Sequence, residues 1–219
     1  MMKTLRDELR SAPSIVGQAP KFDPAAAPND PHELFTSWFR HALNAGVPEG
    51  HAATLATVDQ DGVPDARVLI VKDVTEDCVF KIATSDESAK GRQLLQNPNC
   101  ALTFYWSTLA RAVRVRGRAQ RASTAESAKD FLARHPLARA IVLAGHQSSV
   151  LTDEDVREEA IERAKAAIEA DNNIVSPHWA LWLIVPSSIE FWQGDQSRDH
   201  QRLRYNRDGD SWNKQRLWS

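Results

Sequence analysis

Short apolar runs fill the chain between His51 and Gln120, and they constrain the fold more than any other feature of the sequence. Each run has the length of a single strand, and turn signals such as Asp61-Gly62 and Glu76-Asp77 separate neighbouring runs. This pattern predicts antiparallel strands joined by tight turns. The predicted strands are Ala52–Val58, Ala66–Val71, Val79–Thr84, Ala101–Trp106 and Ala112–Ala119.

The C-terminal part of the chain adds further strands. Two of them, near Trp179–Pro186 and Ser188–Gln193, precede a hairpin from Arg202 to Trp218 that turns at Asp208-Gly209. The sequence therefore predicts a mainly β fold with peripheral helices (α+β), built around a closed or nearly closed antiparallel barrel.

Helical segments lie before and between these strands, and each begins with a capping residue or a proline in its first turn. One begins at Asp30-Pro31, where Leu34, Phe35, Trp38, Phe39 and Leu43 follow at helical spacing. The others are predicted over Ser88–Gln96, from Ser123 to about Arg134 and over Thr152–Ala170, the last with Val156, Ile161, Ala164 and Ile168 facing inward.

The chain has 219 residues, and we expect one domain over 29–219. Residues 1–28 are rich in proline and alanine and predict a flexible N-terminal arm. No apolar segment is long enough to span a bilayer, and we expect a cytoplasmic protein in which Cys78 and Cys100 are buried thiols. The net charge of −2 gives no general attraction for nucleic acid or an anionic membrane, so neither is an expected partner.

Alternating arginines mark one predicted strand. Arg114, Arg116 and Arg118 interleave with Val113, Val115 and Gly117 and would share one face of the sheet. That face either binds an anionic ligand or partner, or is a solvated surface with carboxylates on the neighbouring strands. Similarly, Arg67 and Lys72 are either surface cations at the two ends of a core strand or part of a site.

The run Glu190-Phe191-Trp192-Gln193-Gly194 lies just before Arg198, His200 and Arg202. Large aromatic rings beside several cations are typical of a pocket for a flat anionic ring compound. The three basic residues are spaced by two, so on a strand they would share a face. His200 is then either a general acid or base or an ordinary surface histidine. The histidines have no HxH or HExxH spacing, so no metal is expected.

Taken together, five blocks of sequence resemble the pyridoxamine 5'-phosphate oxidase family over about residues 30–219. The blocks are Arg67–Lys72, Ser88-Ala89-Lys90, Gln147-Ser148-Ser149, Glu190–Gly194 and Arg198–Arg202. The resemblance implies an antiparallel FMN-binding split β-barrel that forms a homodimer, with FMN at the subunit interface. It also implies hydride transfer from a substrate carbon to the flavin, with oxygen as the final acceptor.

The same resemblance implies roles for individual residues. Those expected to bind FMN are Arg67, Lys72, Thr84, Lys90, Gln147, Ser148, Trp192 and Arg202. Those expected to face the substrate are Lys72, Arg134, Arg198 and His200, the last two as catalytic residues. The implied reaction converts pyridoxine or pyridoxamine 5'-phosphate to pyridoxal 5'-phosphate.

Four positions depart from the family pattern. Ala89 and Ala112 replace a cation and a glutamine that contact the flavin, and Asp130 and Ala138 replace a tyrosine and a serine of the substrate phosphate pocket. Asp130 and Arg134 are four residues apart on a predicted helix, so we expect an ion pair that reduces the positive potential of the pocket. The alternatives are therefore oxidation of another flat anionic ring, such as a reduced phenazine precursor, or a non-catalytic flavin or pyridoxal-phosphate carrier.

Overall fold

Nine strands form one sheet in the computed structural model, which describes residues 3–16 and 19–219. The strand order is β2-β1-β5-β6-β7-β4-β3, and β8 pairs with both β7 and β9. The strands are β1 (Ala52–Val58), β2 (Pro64–Ile70), β3 (Asp73–Val74), β4 (Phe80–Ser85), β5 (Asn99–Trp106), β6 (Arg111–Arg121), β7 (Trp179–Gln193), β8 (Gln201–Asp208) and β9 (Ser211–Leu217). The pairs β1–β2, β3–β4, β4–β7, β7–β8 and β8–β9 are antiparallel.

Six α-helices accompany the sheet within the described ranges. They are α1 (Leu5–Ser11), α2 (Pro31–Asn44), α3 (Ala89–Gln96), α4 (Thr124–Leu132), α5 (Pro136–Ala144) and α6 (Glu154–Ala170). Where the structure describes the chain, no helix combines the length and the apolar character needed to cross a lipid bilayer.

The chain divides into two compact units, and each has its own core. The first unit comprises the chain up to Gly50, Thr103–Arg114 and Ser188–Ser219. Its core is aromatic, because the apolar face of α2 packs its rings against rings from the strands. Phe35 lies 5.3 Å from Phe104, and Trp38 lies 5.3 Å from Phe191 between ring centroids.

The second unit comprises His51–Leu102 and Val115–Ser187. Its core is largely aliphatic and contains the buried residues Leu55, Ile82, Leu94, Leu102, Val115 and Ile184. In the same unit α5 and α6 pack together through Ala140, Ala164 and Ile168.

The predicted antiparallel sheet with surrounding helices is confirmed. β1 has the predicted bounds, and the four strands that follow it in the prediction differ by at most two residues at either end. The predicted strands near Trp179–Pro186 and Ser188–Gln193 are one continuous strand, β7. Pro186 does not interrupt it, because pairing with β4 ends at Ile184 and pairing with β8 begins at Ser188.

Three features differ from the sequence prediction. Pro136 begins helix α5, with its preceding His135 accepting a hydrogen bond from the Leu137 amide at 3.3 Å, whereas the sequence was interpreted only as the end of the previous helix. Val156, expected to face inward on α6, is exposed. Cys78 is buried as expected, whereas Cys100 is only partly buried.

The predicted arm, residues 1–28, includes residues 1, 2, 17 and 18, which lie outside the described residues. Within it, α1 begins with a capping box formed by Thr4 and Asp7 and buries no residue. The end of the arm contacts the C-terminal hairpin of the same unit. Tyr205 Oη donates to the Pro28 carbonyl and Lys214 Nζ to the Ala27 carbonyl, both at 2.6 Å.

Candidate functional site

The first group of site residues lies where β4 ends and α3 begins, in the second unit. Ser88 caps α3, since its Oγ accepts from the Gly91 amide at 3.1 Å and donates to the Ser85 carbonyl at 2.7 Å. A Cβ at Gly91 would lie 2.3 Å from that same carbonyl oxygen, so only glycine lets the helix approach the strand this closely. The approach brings Thr84 Oγ1 to 3.1 Å from Ser88 Oγ.

Two predicted cofactor ligands, Lys90 and Arg67, join this group. Lys90 Nζ donates to Thr84 Oγ1 at 3.4 Å. Arg67, on β2, donates to Thr57 Oγ1 at 2.5 Å and to Gln93 Oε1 at 3.0 Å, and it also contacts the carboxylate of Asp65. Burial, and secondarily the charge of Arg67, lowers the pKa of Lys90. Two cations in a partly buried place favour an anion beside them.

Ser148 reaches the same helix end from the loop after α5. Its Oγ accepts from the Ala89 amide at 3.3 Å, and its own φ is 72°. Thr84, Ser88 and Lys90 are joined by hydrogen bonds, Ser148 binds the Ala89 amide beside them, and the charge of Arg67 acts on Lys90; we call these five residues the α3 cluster. Gln147, next to Ser148, and Lys72, after β2, are exposed, and the structure gives neither side chain a contact with the cluster.

The donors of the α3 cluster fit a phosphate group. They combine two cations, three hydroxyls and backbone amides at the start of a helix, which is the chemistry that binds phosphate dianions in proteins. FMN ends in such a phosphate. The residues present thus fit the cofactor implied by the sequence, even though Ala89 supplies only a backbone amide where the family has a second cation.

The second group lies in the first unit, on β7 and β8, and centres on a buried carboxylate. Glu190 Oε1 accepts from Arg202 Nε at 3.0 Å and from Nη2 at 2.7 Å, and its Oε2 accepts from Arg114 at 2.5 Å. Arg202 Nη1 donates to the Trp218 carbonyl at 3.0 Å. Arg202 is thus held in one orientation by hydrogen bonds from all three of its nitrogens.

The alternating face of β6 agrees with the sequence prediction. Val113 and Val115 are buried, and Arg114, Arg116 and Arg118 are exposed. Arg114 pairs with Glu190 on β7, which is the cross-strand carboxylate that the solvated-surface interpretation required. Arg118 instead donates to the amide oxygen of Asn99 at 3.4 Å. The Arg114 ion pair supports a structural role for that end of the strand.

Alternate residues of the Glu190–Gly194 run have different environments. Phe191 is fully buried, and Gln193 is buried and binds Arg111 Nε at 2.8 Å and the Leu109 carbonyl at 3.0 Å. Trp192, by contrast, is half-buried, with its ring centroid 5.0 Å from that of His200. Only Trp192 of these three side chains therefore has the accessibility that a flavin contact requires.

His200 and Arg198 lie in the turn between β7 and β8. The Asp195 amide donates to His200 Nδ1 at 3.0 Å, so a neutral His200 carries its proton on Nε2. Arg198 is exposed, with a φ of 72° and a backbone bond from its amide to the Asp195 carbonyl. The expected common strand face of Arg198, His200 and Arg202 is wrong, because β8 begins only at Gln201 and the first two residues precede it.

Arg134, the predicted substrate ligand on the second unit, stacks on an indole. Its Cζ lies 4.2 Å from the centroid of the Trp179 ring. The expected ion pair with Asp130 is wrong: Asp130 Oδ2 instead accepts from Trp179 Nε1 at 2.8 Å. Burial lowers the pKa of Arg134, and the charge of Asp130 opposes that effect.

Sequence reasoning missed several residues that support these groups. Gln93 and Thr57 orient Arg67, and Trp179 supports Arg134. The capping pattern before α3 would have identified Ser88 as a structural partner of the site, but contacts between residues distant in sequence leave no local signal. Across residues 3–16 and 19–219, no group of three or more histidines, cysteines or carboxylates is arranged to hold a metal ion.

Two family models match the chain. Residues 39–168 match the model described as pyridoxamine 5'-phosphate oxidase, and residues 179–219 match the pyridoxine 5'-phosphate oxidase C-terminal dimerisation region. A protein of Burkholderia lata named pyridoxine/pyridoxamine 5'-phosphate oxidase is 43% identical over 198 residues, 89% of this chain and 92% of the relative. One of Burkholderia mallei with the same name is 44% identical over 189 residues, 86% and 87% of the two chains.

Solved structures agree with these matches. The crystal structure of PhzG from Burkholderia lata 383, in complex with tetrahydrophenazine-1-carboxylic acid, has a TM-score of 0.84 and 26% identity over 93% of this chain and 100% of PhzG. A pyridoxamine 5'-phosphate oxidase-related, FMN-binding protein from Nostoc punctiforme has a TM-score of 0.70 over 90% of this chain and all of that one, and at 18% identity it shows the fold alone.

The sequence resemblance and the fold implied by it are thus confirmed, and the match over residues 179–219 supports self-association. FMN is the cofactor of this family, and the donors of the α3 cluster fit its phosphate. The chain therefore belongs to the pyridoxamine 5'-phosphate oxidase family and is an FMN-dependent oxidoreductase.

Proposed function

We propose that this oxidase converts pyridoxine 5'-phosphate and pyridoxamine 5'-phosphate to pyridoxal 5'-phosphate, with oxygen as the electron acceptor. One observation carries the choice of substrate. Of two relatives from Burkholderia lata, the one named for these vitamin phosphates is far more similar in sequence to this chain than PhzG is. A role in pyridoxal phosphate biosynthesis follows from that reaction, and we expect it to take place in the cytoplasm.

Residues of the α3 cluster are proposed to bind the FMN phosphate, with Arg67 and Lys90 supplying charge and Thr84 and Ser148 supplying hydroxyls. Their existing contacts support this, because Thr84, Lys90 and Ser148 meet at the start of α3, and Arg67 is held beside α3 by its hydrogen bond to Gln93. The remaining proposed FMN ligands are Lys72, Gln147, Trp192 and Arg202. Residues 29–219 would act as one FMN-binding domain in a homodimer.

Bound FMN would supply the redox chemistry, as acceptor of a hydride from the substrate carbon and donor of the electrons to oxygen. The protein's part is to bind and orient the substrate. Arg134 and Lys72 are proposed to hold the substrate phosphate, and Arg198 and His200 to orient its ring. The Asp195 amide supports the role of His200, because it keeps Nδ1 as acceptor and leaves the Nε2 proton free to be donated.

Oxidation of a reduced phenazine carboxylic acid is the second candidate. The structural similarity to PhzG in complex with tetrahydrophenazine-1-carboxylic acid favours it, as does Ala138, which lacks the hydroxyl that the family resemblance places in the phosphate pocket. A non-catalytic flavin or pyridoxal-phosphate carrier is the third.

An anaerobic titration of the FMN-loaded protein separates these candidates. Pyridoxine 5'-phosphate should bleach the visible absorbance of the oxidised flavin stoichiometrically, and admitting air should restore it. Bleaching only by tetrahydrophenazine-1-carboxylic acid would favour the second candidate. Flavin that stays oxidised with both compounds would favour a carrier.

The variant Arg134→Ala tests the proposed ligand of the substrate phosphate, and Arg163→Ala, at an exposed position of α6, is its control. Loss of the substrate phosphate ligand should raise the concentration of pyridoxine 5'-phosphate needed for bleaching about 10- to 100-fold. The control should bleach like the wild type, because Arg163 is exposed and, among the described residues, its side chain pairs only with Glu159 on its own helix.

A further inference from the structure

The guanidinium of Arg134 has an unusual environment for a ligand-binding arginine. Its Cζ lies over the Trp179 indole, 4.2 Å from the ring centroid, and its Nε is buried without a hydrogen-bond partner among the described residues. Because this N–H makes no hydrogen bond, no protein acceptor fixes the guanidinium through Nε. Arg134 therefore has its orientation set by a ring and not by a carboxylate.

Trp179 is itself held firmly. It is the first residue of β7 and is 6% exposed. Its indole Nε1 donates to Asp130 Oδ2 at 2.8 Å, and its ring meets the edge of Phe131 with centroids 6.1 Å apart. Because Asp130 and Phe131 are neighbours on α4, one helix fixes both the polar and the apolar side of the indole.

We propose that Asp130 and Trp179 are positioning residues that hold the Arg134 guanidinium in the orientation needed to bind the substrate's anionic group. This rests on the proposed function, in which Arg134 binds a substrate phosphate. Asp130 acts through the indole, and neither positioning residue touches the substrate.

The alternative role for Asp130 is to compete directly with the substrate anion for the donors of Arg134. A carboxylate paired with Arg134 would occupy the donors that a substrate anion needs. The bond to Trp179 occupies one Asp130 oxygen, and within the described residues no carboxylate forms an ion pair with the guanidinium, which lies over the indole. The negative charge of Asp130 also lowers the local positive potential. A substitution that removes this charge but keeps the hydrogen bond to the indole should therefore not weaken anion binding. These two roles predict opposite results for substitutions at Asp130.

Three variants of the FMN-loaded protein distinguish the roles. Asp130→Ala removes the acceptor for the indole, Asp130→Asn keeps an acceptor oxygen and removes the charge, and Glu158→Ala removes an exposed α6 carboxylate for which the structure gives no partner. With pyridoxine 5'-phosphate, Asp130→Ala should raise KM about tenfold, with kcat within about twofold and flavin content unchanged. Asp130→Asn should restore KM to within about twofold of the wild type, and Glu158→Ala should match the wild type.

Three kinetic results would overturn the proposal. The first is a KM for Asp130→Ala that is unchanged or lower, which is what direct competition predicts. Asp130→Asn could fail to rescue KM. A fall in kcat and flavin content together would identify a general structural role. Trp179→Phe, which keeps a ring and removes the N–H donor, serves as a second variant and should reproduce the effect of Asp130→Ala.

A binding measurement keeps the test independent of the proposed substrate. The Nε–H signal of Arg134, identified by its loss in Arg134→Lys, can be followed by NMR during titration with inorganic phosphate. Asp130→Ala should raise the dissociation constant for phosphate about tenfold and Asp130→Asn should not. If the wild type binds phosphate in this way but does not oxidise pyridoxine 5'-phosphate, the proposed function fails and the positioning role stands. If Asp130→Ala binds phosphate as the wild type does, the positioning role fails.

Discussion

Arg202 binds Glu190 through two nitrogens on a single carboxylate oxygen, with Nε at 3.0 Å and Nη2 at 2.7 Å from Oε1. The Glu190 side chain is 9% exposed, whereas the Arg202 side chain is 30% exposed and that of Arg114 is 51% exposed. Water screens the more exposed pair, so Arg202 contributes more than Arg114 to the stability of the buried carboxylate. Glu190 in turn fixes Arg202, a proposed flavin ligand.

Glu190→Gln should therefore lower both stability and flavin content. The charge-assisted hydrogen bonds to Arg202 would be replaced by weaker ones, which should lower the free energy of unfolding by about 2 kcal/mol. Urea unfolding of the FMN-loaded protein, with flavin absorbance after gel filtration, measures both effects. The exposed Glu158→Gln is the control, and equal unfolding midpoints for the two variants would contradict the role of Glu190.

Lys90 should make FMN binding weaker at alkaline pH. Burial and Arg67 lower the pKa of Lys90 in the free protein, whereas a bound phosphate would favour the charged form and raise it. FMN affinity should consequently fall as pH rises through the lowered pKa of the free protein. Fluorescence titrations with FMN between about pH 7 and pH 10 would measure this.

Lys90→Met tests the assignment of that pH dependence. FMN affinity should fall about 10- to 100-fold at neutral pH, and the alkaline decrease caused by Lys90 should disappear. Lys165→Met removes a partly exposed lysine of α6 that, within the described residues, pairs only with Glu162, and it should behave like the wild type. An unchanged alkaline decrease in Lys90→Met would assign it to another group.

Arg198 should affect turnover and not flavin binding. Its φ of 72° is strained to a similar degree for arginine and alanine, so Arg198→Ala deletes the guanidinium without changing backbone strain. We expect turnover to fall about 100-fold or more with flavin content and Tm retained.

Arg198→Gly separates the side chain from the backbone. Glycine accepts this φ readily, so the variant should be more stable than Arg198→Ala by about 1 kcal/mol while turnover is equally low. Steady-state kinetics and urea unfolding measure the two quantities. Recovery of turnover in the glycine variant would mean that backbone conformation, and not the guanidinium, matters at this position.

Gly117 should not tolerate alanine. A Cβ there would lie 2.2 Å from the Val185 carbonyl oxygen and 2.9 Å from Pro186 Cα, both backbone atoms that cannot move alone. Gly117→Ala should destabilise the protein by about 3 kcal/mol or more. Gly50→Ala is the control, since its Cβ would have only ordinary contacts at 3.8 Å. Similar Tm values for the two variants would show that β6 and β7 can separate at this point.

Local patterns in the sequence predicted most of the elements. Alternation predicted which β6 residues are buried, since a strand turns successive side chains to opposite faces whatever its neighbours are. The capping box at Ser123 and Glu126 predicted the start of α4, because both hydrogen bonds form within one helical turn. The start of α5 was missed because a proline can end one helix and begin another, and packing against α6 decides between them.

The candidate site was predictable to a smaller extent. The sequence by itself determined the residue types available for chemistry, their order along the chain and the family that carries them. Only the tertiary structure decided their partners. Asp130 lies on α4, four residues before Arg134, which follows the end of that helix, and its carboxylate binds the indole of Trp179, 49 positions away in sequence. Spacing along a helix limits which neighbouring side chains can meet. A polar side chain can also bind any donor that folding brings within hydrogen-bonding distance, and the packing of distant segments determines which donors those are.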